Sequence, residues 1–458
     1  MKVMSGLDAR FLYYETPTAH MHTMKVVVVD TSGRREPLTA EGLRALIEDR
    51  LRLMPVLRRR VMLVARGAGN PVVLDDPDFD LSRHLRVTTA AAPGGTAELD
   101  DVIAEIAGTQ LPRDRPLWEL TVVEGLAEGR LAFVMKLHHA LADGVASVAM
   151  MENAFIADDA HAVVEPYNPE PIPTARTLYR ASATSALRAT RLIPRVVKQS
   201  LSGARRARAM KRSETAMLPG AFAGPRTPFN AALTADRVFA SLAIPLPRLM
   251  AAKKAAGVSL NDTFLSLCGG AARRYLDRMG RLPAHSLVAS VPMATRIDLH
   301  RLVGNHVDNL FVPLRTDIAD PIERARAIHE SSVAARKIRS ELGSDLFEWR
   351  SGVVPVGIHG LMSGLWGSTH LADHLRSPVN MVASCVRGPR QRLEFDGGVV
   401  TSMLSCGPIL EGIGLNITAW SYIDTMYISL LGCSASLPDP RRLARDIEAE
   451  SLSWESKL

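Results

Sequence analysis

Two adjacent histidines followed by an Asp-Gly pair are the residues of this sequence best suited by type and spacing to take part in catalysis. His138 and His139 end the apolar run LAFVMKL, and Asp143 and Gly144 follow after three intervening residues. A neutral imidazole can accept a proton from a hydroxyl group in a transition state, because its pKa lies close to neutrality. The pattern HHxxxDG, placed between a predicted strand and a predicted helix, therefore predicts a general-base site.

The spacing also limits what each residue of the pattern can do. Neighbouring side chains of a strand point to opposite faces, so only one histidine can face a given cleft, and His138 is favoured as the structural one. Asp143 can orient the ring, lock the loop through an arginine, or cap the next helix. Gly144 is expected to allow a tight turn where a side chain would clash.

A metal site is the main alternative for the histidine pair, and the sequence gives it little support. The side chains of adjacent histidines on a strand diverge, and neither an HExxH motif nor a suitably spaced third ligand is present. The four cysteines form no CxxC pair and are expected to be reduced thiols: Cys268, Cys385, Cys406 and Cys433. There is also no GxxxxGK[ST] or strand-linked GxGxxG motif. We expect no metal and no bound cofactor.

Alternating predicted strands and helices must position the histidines. The segment 131–137 is predicted as the strand that leads into His138, and 119–123 as its partner across a glycine-containing turn. Thr39 is predicted to cap a helix through Leu53, and Gly257 to end another. The other predicted strands are 24–30, 238–244, 287–292, 380–385, 414–420 and 426–433. The other predicted helices are 99–110, 246–256, one from Leu260, 321–342 and 439–455.

Length and composition favour a two-domain globular protein. The chain has 458 residues, of which 47% are hydrophobic and 22% charged. Proline- and glycine-rich segments at 167–173 and 220–230 separate two halves with a similar order of elements. We therefore predict an α/β protein of two related lobes, at 1–165 and 231–458, joined by a linker at 166–230.

The predicted linker is strongly basic. Segment 171–213 contains eleven Lys and Arg residues and no Asp or Glu, whereas the whole chain carries +7, so the remainder is net negative. Apolar residues alternate with these cations, and Pro194 is expected to interrupt any single helix. Such a tract suits either an anionic membrane surface or a solvated linker. Nucleic acid is the least favoured partner, because no nucleic-acid motif accompanies the few aromatic residues.

The cellular location follows from what the sequence lacks. No apolar run reaches the ~20 residues of a spanning helix, and the first residues show no apolar signal segment. We expect a cytoplasmic protein with peripheral contact to a membrane or lipid droplet.

The histidine motif and several further segments of the sequence resemble those of a known family. HHALADG at 138–144 is similar to the signature of the CoA-dependent acyltransferase superfamily, which includes chloramphenicol acetyltransferase-like enzymes and peptide-synthetase condensation domains. The ordered set of further blocks resembles the bacterial wax ester synthase/acyl-CoA:diacylglycerol acyltransferase family, in particular its mycobacterial triacylglycerol synthase-like branch. These blocks are LDA at 7–9, DDPDFDL at 75–81, PRDRPLWE at 112–119, Asn261 with Asp262, Val291 and Pro292 with Arg296, Gly304 with Asn305, Gly388 with Pro389, Gly407 with Pro408, and LNIT at 415–418.

The resemblance implies an activity and a set of roles. His139 would be the general base that deprotonates an alcohol for attack on the thioester of acyl-CoA. Asp143 would be structural and paired with an arginine of the other lobe, for which Arg296 is the candidate. Asn261 and Asp262 would lie beside the substrate tunnel, although a helix-start role explains both and mainly structural support is favoured.

The resemblance also implies the substrates. Acyl-CoA would be a co-substrate, and the acceptor would be diacylglycerol, giving triacylglycerol, or a long-chain alcohol, giving a wax ester. A catalytically silent lipid-binding homologue and a condensation domain that uses carrier-bound thioesters are the alternatives.

Overall fold

Two six-stranded mixed sheets form the framework of the protein. The computed structural model describes residues 1–34, 39–64, 69–155, 167–213, 224–294, 302–342 and 356–455. Within these ranges the strands are β1 (Lys2–Val3), β2 (His22–Asp30), β3 (Arg59–Met62), β4 (Val72–Asp75), β5 (Leu85–Thr89), β6 (Trp118–Glu124), β7 (Arg130–His138), β8 (Arg237–Pro245), β9 (Val288–Ala294), β10 (Val307–Pro313), β11 (Met381–Arg387), β12 (Glu394–Phe395), β13 (Gly398–Cys406), β14 (Leu415–Tyr422) and β15 (Thr425–Cys433).

The helices within the same ranges are α1 (Gly6–Tyr14), α2 (Ala40–Leu51), α3 (Thr96–Gly108), α4 (Gly144–Phe155), α5 (Ala175–Ser213), α6 (Leu246–Ala256), α7 (Leu260–Arg278), α8 (Pro321–Leu342), α9 (Val356–Ser368) and α10 (Pro440–Glu455). Of these, α2, α3, α4, α6, α7, α8 and α10 pack on the two sheets.

The first sheet carries the histidine pair and has the strand order β12-β13-β2-β7-β6-β5. Strands β5 and β6 are parallel, and the other neighbours are antiparallel. Its edge comes from the second half of the chain, because β13 pairs with β2 from Met24 opposite Cys406 to Asp30 opposite Val399. The sequence did not predict this exchange of strands between the halves.

The second sheet has the order β10-β9-β11-β14-β15-β8 and is likewise mixed. Its core is formed with α6, α7, α8 and α10. Helix α3 packs between the first sheet and β8 of the second, and Asp100 accepts hydrogen bonds from the backbone and side chain of Ser241 there, at 2.9 and 2.7 Å. The opposite face of the first sheet is covered by α2 and α4. These two mixed sheets with flanking helices confirm the predicted fold class.

Local sequence signals located most helix ends correctly. The Thr39 side chain accepts a hydrogen bond from the Gly42 amide at 3.0 Å and so caps α2, as predicted. Gly257 ends α6 in the left-handed region with φ +71°, where a residue without a Cβ is favoured. The sequence did not identify α1, β10 or α9 as elements.

The prediction that Pro194 interrupts the basic tract is wrong. Helix α5 runs from Ala175 to Ser213 with Pro194 inside it. Proline removes one amide donor and so frees the carbonyl of Thr190 from its intrahelical bond. Both residues are exposed to solvent, where water can hydrate that carbonyl, so the helix continues.

Candidate active site

The end of β7 determines where the two histidines lie. Strand β7 pairs with β2 along its whole length, and His138 stands opposite His22. The chain then leaves the strand, and the His139 amide donates to the carbonyl of Met21 at 2.7 Å. The two imidazoles therefore enter different surroundings although their backbones are adjacent.

His138 is fully buried and its ring nitrogens both have protein partners. Nε2 donates to Glu15 Oε2 at 2.8 Å, and Nδ1 accepts from the Ala140 amide at 3.1 Å. Glu15 is also paired with Arg113. Burial holds the pKa of His138 well below its ordinary value, and the charge of Arg113 adds to this effect. A ring held in this way supports the turn and has no nitrogen left for a substrate.

His139 is only partly buried, and Asn305 contacts one edge of its ring. His139 Nδ1 lies 3.0 Å from Asn305 Oδ1, while Asn305 Nδ2 donates to the His139 carbonyl at 2.9 Å and to Asp8 Oδ1 at 2.8 Å. Because the amide NH₂ has two acceptors, the amide oxygen must face the ring and accept from Nδ1–H. The lone pair of His139 is therefore on Nε2, to which no described residue forms a hydrogen bond.

Helix α1 supplies the rest of this cradle. Asp8 Oδ1 also accepts from the Asn305 amide at 2.8 Å, and Phe11 stacks on the His139 ring with centroids 4.3 Å apart. Burial raises the pKa of Asp8, while its hydrogen bonds from Ser5 and Asn305 act in the opposite direction. The ring of His139 is thus fixed both in its plane and in its rotation.

The electrostatic surroundings favour a neutral His139. Burial is the largest influence on its pKa and lowers it below the ordinary 6.5, and the charge of Lys25 lowers it further. Hydrogen bonding and the charge of Asp143 act in the raising direction without reversing the net shift. A base has to be unprotonated to accept a proton, so this shift keeps the ring competent at neutral pH.

Asp143 ties the histidine turn to the second half of the chain. Its Oδ1 accepts from the Ala146 amide at 3.0 Å, which caps α4, and its Oδ2 accepts from the His306 amide at 2.8 Å. Ala142 and Gly304 form a parallel β-bridge beside it. The carboxylate therefore has a structural role, and the segment that it holds is the one that presents Asn305.

The prediction that Gly144 is needed because a side chain would clash in the turn is wrong. Its φ is not in the left-handed region, and a Cβ added there would lie 3.6 Å from Val386 Cγ2, which is an ordinary contact. Gly144 starts α4 in a backbone conformation that other residues also adopt, so the turn itself does not require glycine.

The remaining predicted site residues lie elsewhere. Arg296, the candidate partner of Asp143, lies outside the described residues. Asp262 forms the capping box of α7 with Ser259, and its Oδ2 also lies 2.7 Å from His329 Nδ1. Asn261 is partly buried in the first turn of the same helix. The helix-start role therefore accounts for the position of Asp262.

A narrow apolar cavity lies between the first sheet and helices α2 and α4. About 90 Å³ of it is open to the centre of a water-sized sphere. Ser147, one turn into α4, lines it, and the buried Ser147 hydroxyl has no hydrogen-bond partner among the described residues. The other main lining residues are Val27, Ile47, Leu51, Trp118, Leu120, Phe133, Met135, Leu137, Met150 and Met151.

The far end of this cavity adjoins a polar pocket at the surface. Arg50, Ala154 and Phe395 line both spaces, and the outer pocket has about 410 Å³ by the same measure. Arg392, Glu394 and Asp396 give the outer pocket its charged rim. A chain-like apolar group can therefore extend from the side of α4 towards solvent.

Lys25 is a charged group in the wall of the apolar cavity. Its Nζ donates to Ser405 Oγ at 2.6 Å and to Thr23 Oγ1 at 3.2 Å, and lies 5.1 Å from the centre of the Trp420 ring. Burial lowers the pKa of Lys25 to about 8. The lysine thus remains mostly cationic at neutral pH and acts electrostatically on His139.

Sequence reasoning did not assign roles to several of these residues. Asp8 and Asn305 fall in quoted family blocks, but they are 297 residues apart, so no local pattern could pair them with each other. Glu15 and Lys25 carried no signal beyond their charge. Within the described ranges, no three His, Cys, Asp or Glu side chains converge as metal ligands, and no helix is long and apolar enough to cross a membrane.

Comparison with known proteins places this chain among acyltransferases. The family model described as the wax ester synthase/diacylglycerol acyltransferase catalytic domain matches residues 4–264, and the WS/DGAT C-terminal domain matches residues 303–453. The protein Rv0221 of Mycobacterium tuberculosis H37Rv, provisionally designated a diacylglycerol O-acyltransferase, is 37% identical over 451 residues, covering 98% of this chain and 95% of its own length.

Solved structures show the same fold. The wax ester synthase/diacylglycerol acyltransferase of Marinobacter aquaeolei VT8 superposes with a TM-score of 0.68 at 23% identity, covering 100% of this chain and 99% of its own. The starter condensation domain of rhizomide synthetase, in complex with C8-CoA and Leu-SNAC, gives 0.54 at 12% identity, covering 99% and 94%. The matches over nearly the full length establish that this chain belongs to the wax ester synthase/diacylglycerol acyltransferase family and is an acyltransferase of that family.

Proposed function

We propose that this protein transfers the acyl group of an acyl-CoA to the hydroxyl group of diacylglycerol, with His139 as the general base. The observation that carries the proposal is the orientation of the His139 ring. Asn305 engages Nδ1, so the lone pair lies on Nε2, which forms no hydrogen bond with any described residue. A fixed and neutral imidazole of this kind suits proton abstraction from an alcohol.

The proposed reaction balances with this one base. His139 Nε2 takes the hydroxyl proton while the oxygen of the acceptor forms a bond to the thioester carbonyl carbon. The carbon–sulfur bond then breaks, and the departing CoA thiolate recovers the proton from the imidazolium, which returns the base to its neutral form. No acyl-enzyme is needed, so positioning of the two substrates contributes much of the rate.

The apolar cavity is the proposed site of the acyl chain. Its aliphatic and aromatic lining can bury methylene groups, each contributing about 0.8 kcal/mol. Because the cavity adjoins an outer pocket past Ala154, a long chain has room to extend instead of meeting a closed end. A condensation domain of the same fold is known in complex with C8-CoA, which supports CoA thioesters as donors for the present chain.

The acceptor is the part of the proposal that an assay has to decide. Purified protein is incubated with radiolabelled palmitoyl-CoA and either diacylglycerol or hexadecanol, and lipid products and released CoA thiol are measured together. Triacylglycerol formation at a higher kcat/KM than wax ester formation is the expected result. Preferred use of hexadecanol would instead make the protein a wax ester synthase, which the family description equally covers.

Two further outcomes of the same assay would contradict the proposal more deeply. Absence of CoA release with every acceptor would indicate a catalytically silent lipid-binding protein. Preference for a carrier-bound over a CoA-bound acyl group would indicate condensation-domain chemistry. The variant His139→Ala, confirmed as folded by its melting temperature, provides the background rate for each acceptor.

The acyl site has a separate test. Ala154→Trp places a bulky ring where the cavity meets the outer pocket, so it should lower kcat/KM for long acyl-CoA donors and leave short ones unaffected. Ala104→Trp on α3, at another partly buried alanine, is the matched control. An equal loss for short and long donors would place the acyl chain elsewhere.

A further inference from the structure

Helix α5 has a surface that neither the fold nor the proposed reaction uses. It packs on the protein through Leu178, which lies against Val64 and Val72, through the buried Ser182, and through contacts with α8. Beyond this attachment, several large apolar side chains of the helix are exposed, including Leu187 at 60%, Val197 at 50% and Leu201 at 56%. Solvent exposure of such side chains costs free energy unless another apolar phase covers them.

The exposed apolar residues fall on one side of the helix. At 3.6 residues per turn, Tyr179, Leu187, Ile193, Val197 and Leu201 lie within a sector of about 120°. All five are among the exposed large apolar residues. The buried Leu178 and Ser182 lie outside this sector, about 60° and 20° beyond its edge at Ile193.

Cations border the apolar stripe. Arg180, Arg191 and Lys198 are exposed and point, by the same helical geometry, within about 20° of one another beside the stripe. They lie opposite the buried Leu178. The helix contains no acidic residue. This arrangement, an apolar sector bordered on one side by cations, suits a helix lying at the interface of an anionic lipid surface.

The position of α5 connects it to the candidate active site. Ser182 packs against Gly69, whose carbonyl accepts a hydrogen bond from the Tyr13 hydroxyl at 3.3 Å. Tyr13 belongs to α1, the helix that carries Asp8 and Phe11. On its other side Tyr13 lies against Gly360 of α9, a second helix with exposed apolar residues: Leu361, Met362 and Leu365.

We infer that α5 docks the protein peripherally on a phospholipid surface with anionic headgroups. The stripe from Tyr179 to Leu201 enters the boundary between headgroups and acyl chains, and the bordering cations pair with lipid phosphates. Such docking brings α1 close to the lipid phase, where diacylglycerol resides. The benefit for catalysis rests on the proposed function, whereas docking itself requires no turnover.

Vesicle binding by the full chain, measured without substrate, tests the docking. Phosphatidylcholine vesicles with and without phosphatidylglycerol are sedimented with the protein at low and high salt. We expect binding that requires phosphatidylglycerol and weakens with salt. The triple variant Arg180→Gln, Arg191→Gln, Lys198→Gln should bind roughly 100-fold more weakly, because each cation near the headgroups contributes about fivefold.

Matched variants separate charge, apolar contact and general surface effects. Leu187→Ser, Val197→Ser and Leu201→Ser combined should also weaken binding, and more of that loss should persist at high salt. The control, Arg281→Gln, Arg442→Gln, Arg445→Gln, removes the same charge from other exposed positions and should bind as the unmodified protein does. Circular dichroism establishes that each variant is folded.

Three results would overturn the inference. The first is binding of the α5 charge variant to phosphatidylglycerol vesicles with unchanged affinity. The second is failure of the unmodified protein to bind vesicles while it shifts a DNA or RNA duplex, which would assign the helix to nucleic acid. The third is a raised KM for acyl-CoA in the charge variant with unchanged vesicle binding, which would assign the cations to the CoA phosphates. Loss of vesicle binding with intact acyl transfer to a short soluble alcohol supports docking and separates it from the proposed catalysis.

Discussion

The surroundings of His138 and of His139 differ in whether the polar side-chain atoms have hydrogen-bond partners. Around His138, Glu15 and the Ala140 amide occupy both ring nitrogens. Nearby Lys136 donates to the carbonyls of Ile106 and Thr109 at the end of α3 and pairs with Glu119 of β6. His139 keeps one ring nitrogen without a described partner, and Ser147, in the wall of the apolar cavity, keeps a hydroxyl without a described partner. The surroundings of His138 therefore stabilise the fold, whereas His139 retains a ring nitrogen that can bind a substrate.

The largest effect should follow from removing the imidazole ring of His139. His139→Ala should lower kcat by about 10²- to 10⁴-fold, the usual contribution of a general base. Because the ring is partly exposed, the melting temperature should change little. Steady-state CoA release and calorimetry measure the two quantities, and a variant that keeps the unmodified kcat would remove His139 from the mechanism.

Removing the amide that orients His139 should have the second largest effect. Asn305→Ala should reduce kcat roughly 10- to 100-fold, since a misplacement of about 1 Å can cost about 100-fold. The acid limb of the pH profile should not move to higher pH, because the hydrogen bond from Nδ1 to Asn305 raises the pKa of His139. A rise in KM for acyl-CoA at constant kcat would instead indicate a substrate-binding residue.

Around His138, removal of a hydrogen-bonding side chain should affect stability more than the catalytic rate. Glu15→Ala leaves the buried Nε2–H of His138 and the guanidinium of Arg113 without their shared acceptor, at a cost of about 1–3 kcal/mol in the free energy of unfolding. Glu15→Gln keeps one oxygen acceptor and should lose less. Urea denaturation measures both, and a loss of kcat without a loss of stability would contradict the structural role.

The pH dependence of stability should come from two buried histidines, His138 and the neighbouring His22, whose Nδ1 has no hydrogen-bond partner among the described residues. His22 and His138 have pKa values well below 6.5, mainly because burial disfavours their charged forms. In the unfolded chain they take up protons near pH 6.5, so the stability that they contribute is present above that pH and decreases as the pH falls below it. Urea denaturation at about pH 7 and about pH 5 should show this loss, and His22→Gln should reduce the slope. A flat profile over this interval would contradict the buried neutral state.

The smallest expected effect is a shift in the pH profile, which a comparison of the two buried lysines, Lys25 and Lys136, should reveal. Lys25 lowers the pKa of His139, so Lys25→Met should shift the acid limb of kcat/KM to higher pH. Lys136→Met removes a buried lysine near His138 and should leave that limb in place while lowering the melting temperature. Equal shifts in both variants would mean that the charge of Lys25 does not reach His139 selectively.

Local sequence determined much of the fold because its signals act over a few residues. Thr39 and Gly257 marked helix ends correctly, since such signals act within three or four positions of the backbone that they affect. The alternating run that ends at His138 gave β7 and the divergence of the two histidines. The single-helix course of α5 through Pro194 was missed because it depends on solvent exposure at Thr190, which lets water reach the freed carbonyl and which the local sequence does not encode.

The sequence by itself determined which residues can do the chemistry: an imidazole at the end of a strand, with Asp143 placed to cap the helix that follows. Only the tertiary structure decided which nitrogen of His139 is available, because that depends on Asp8 and Asn305, which are 297 residues apart in the sequence. The strand exchange of β13 likewise brought Ser405 to Lys25. Such pairings depend on packing between the lobes, and no periodicity within either segment encodes a contact across hundreds of residues.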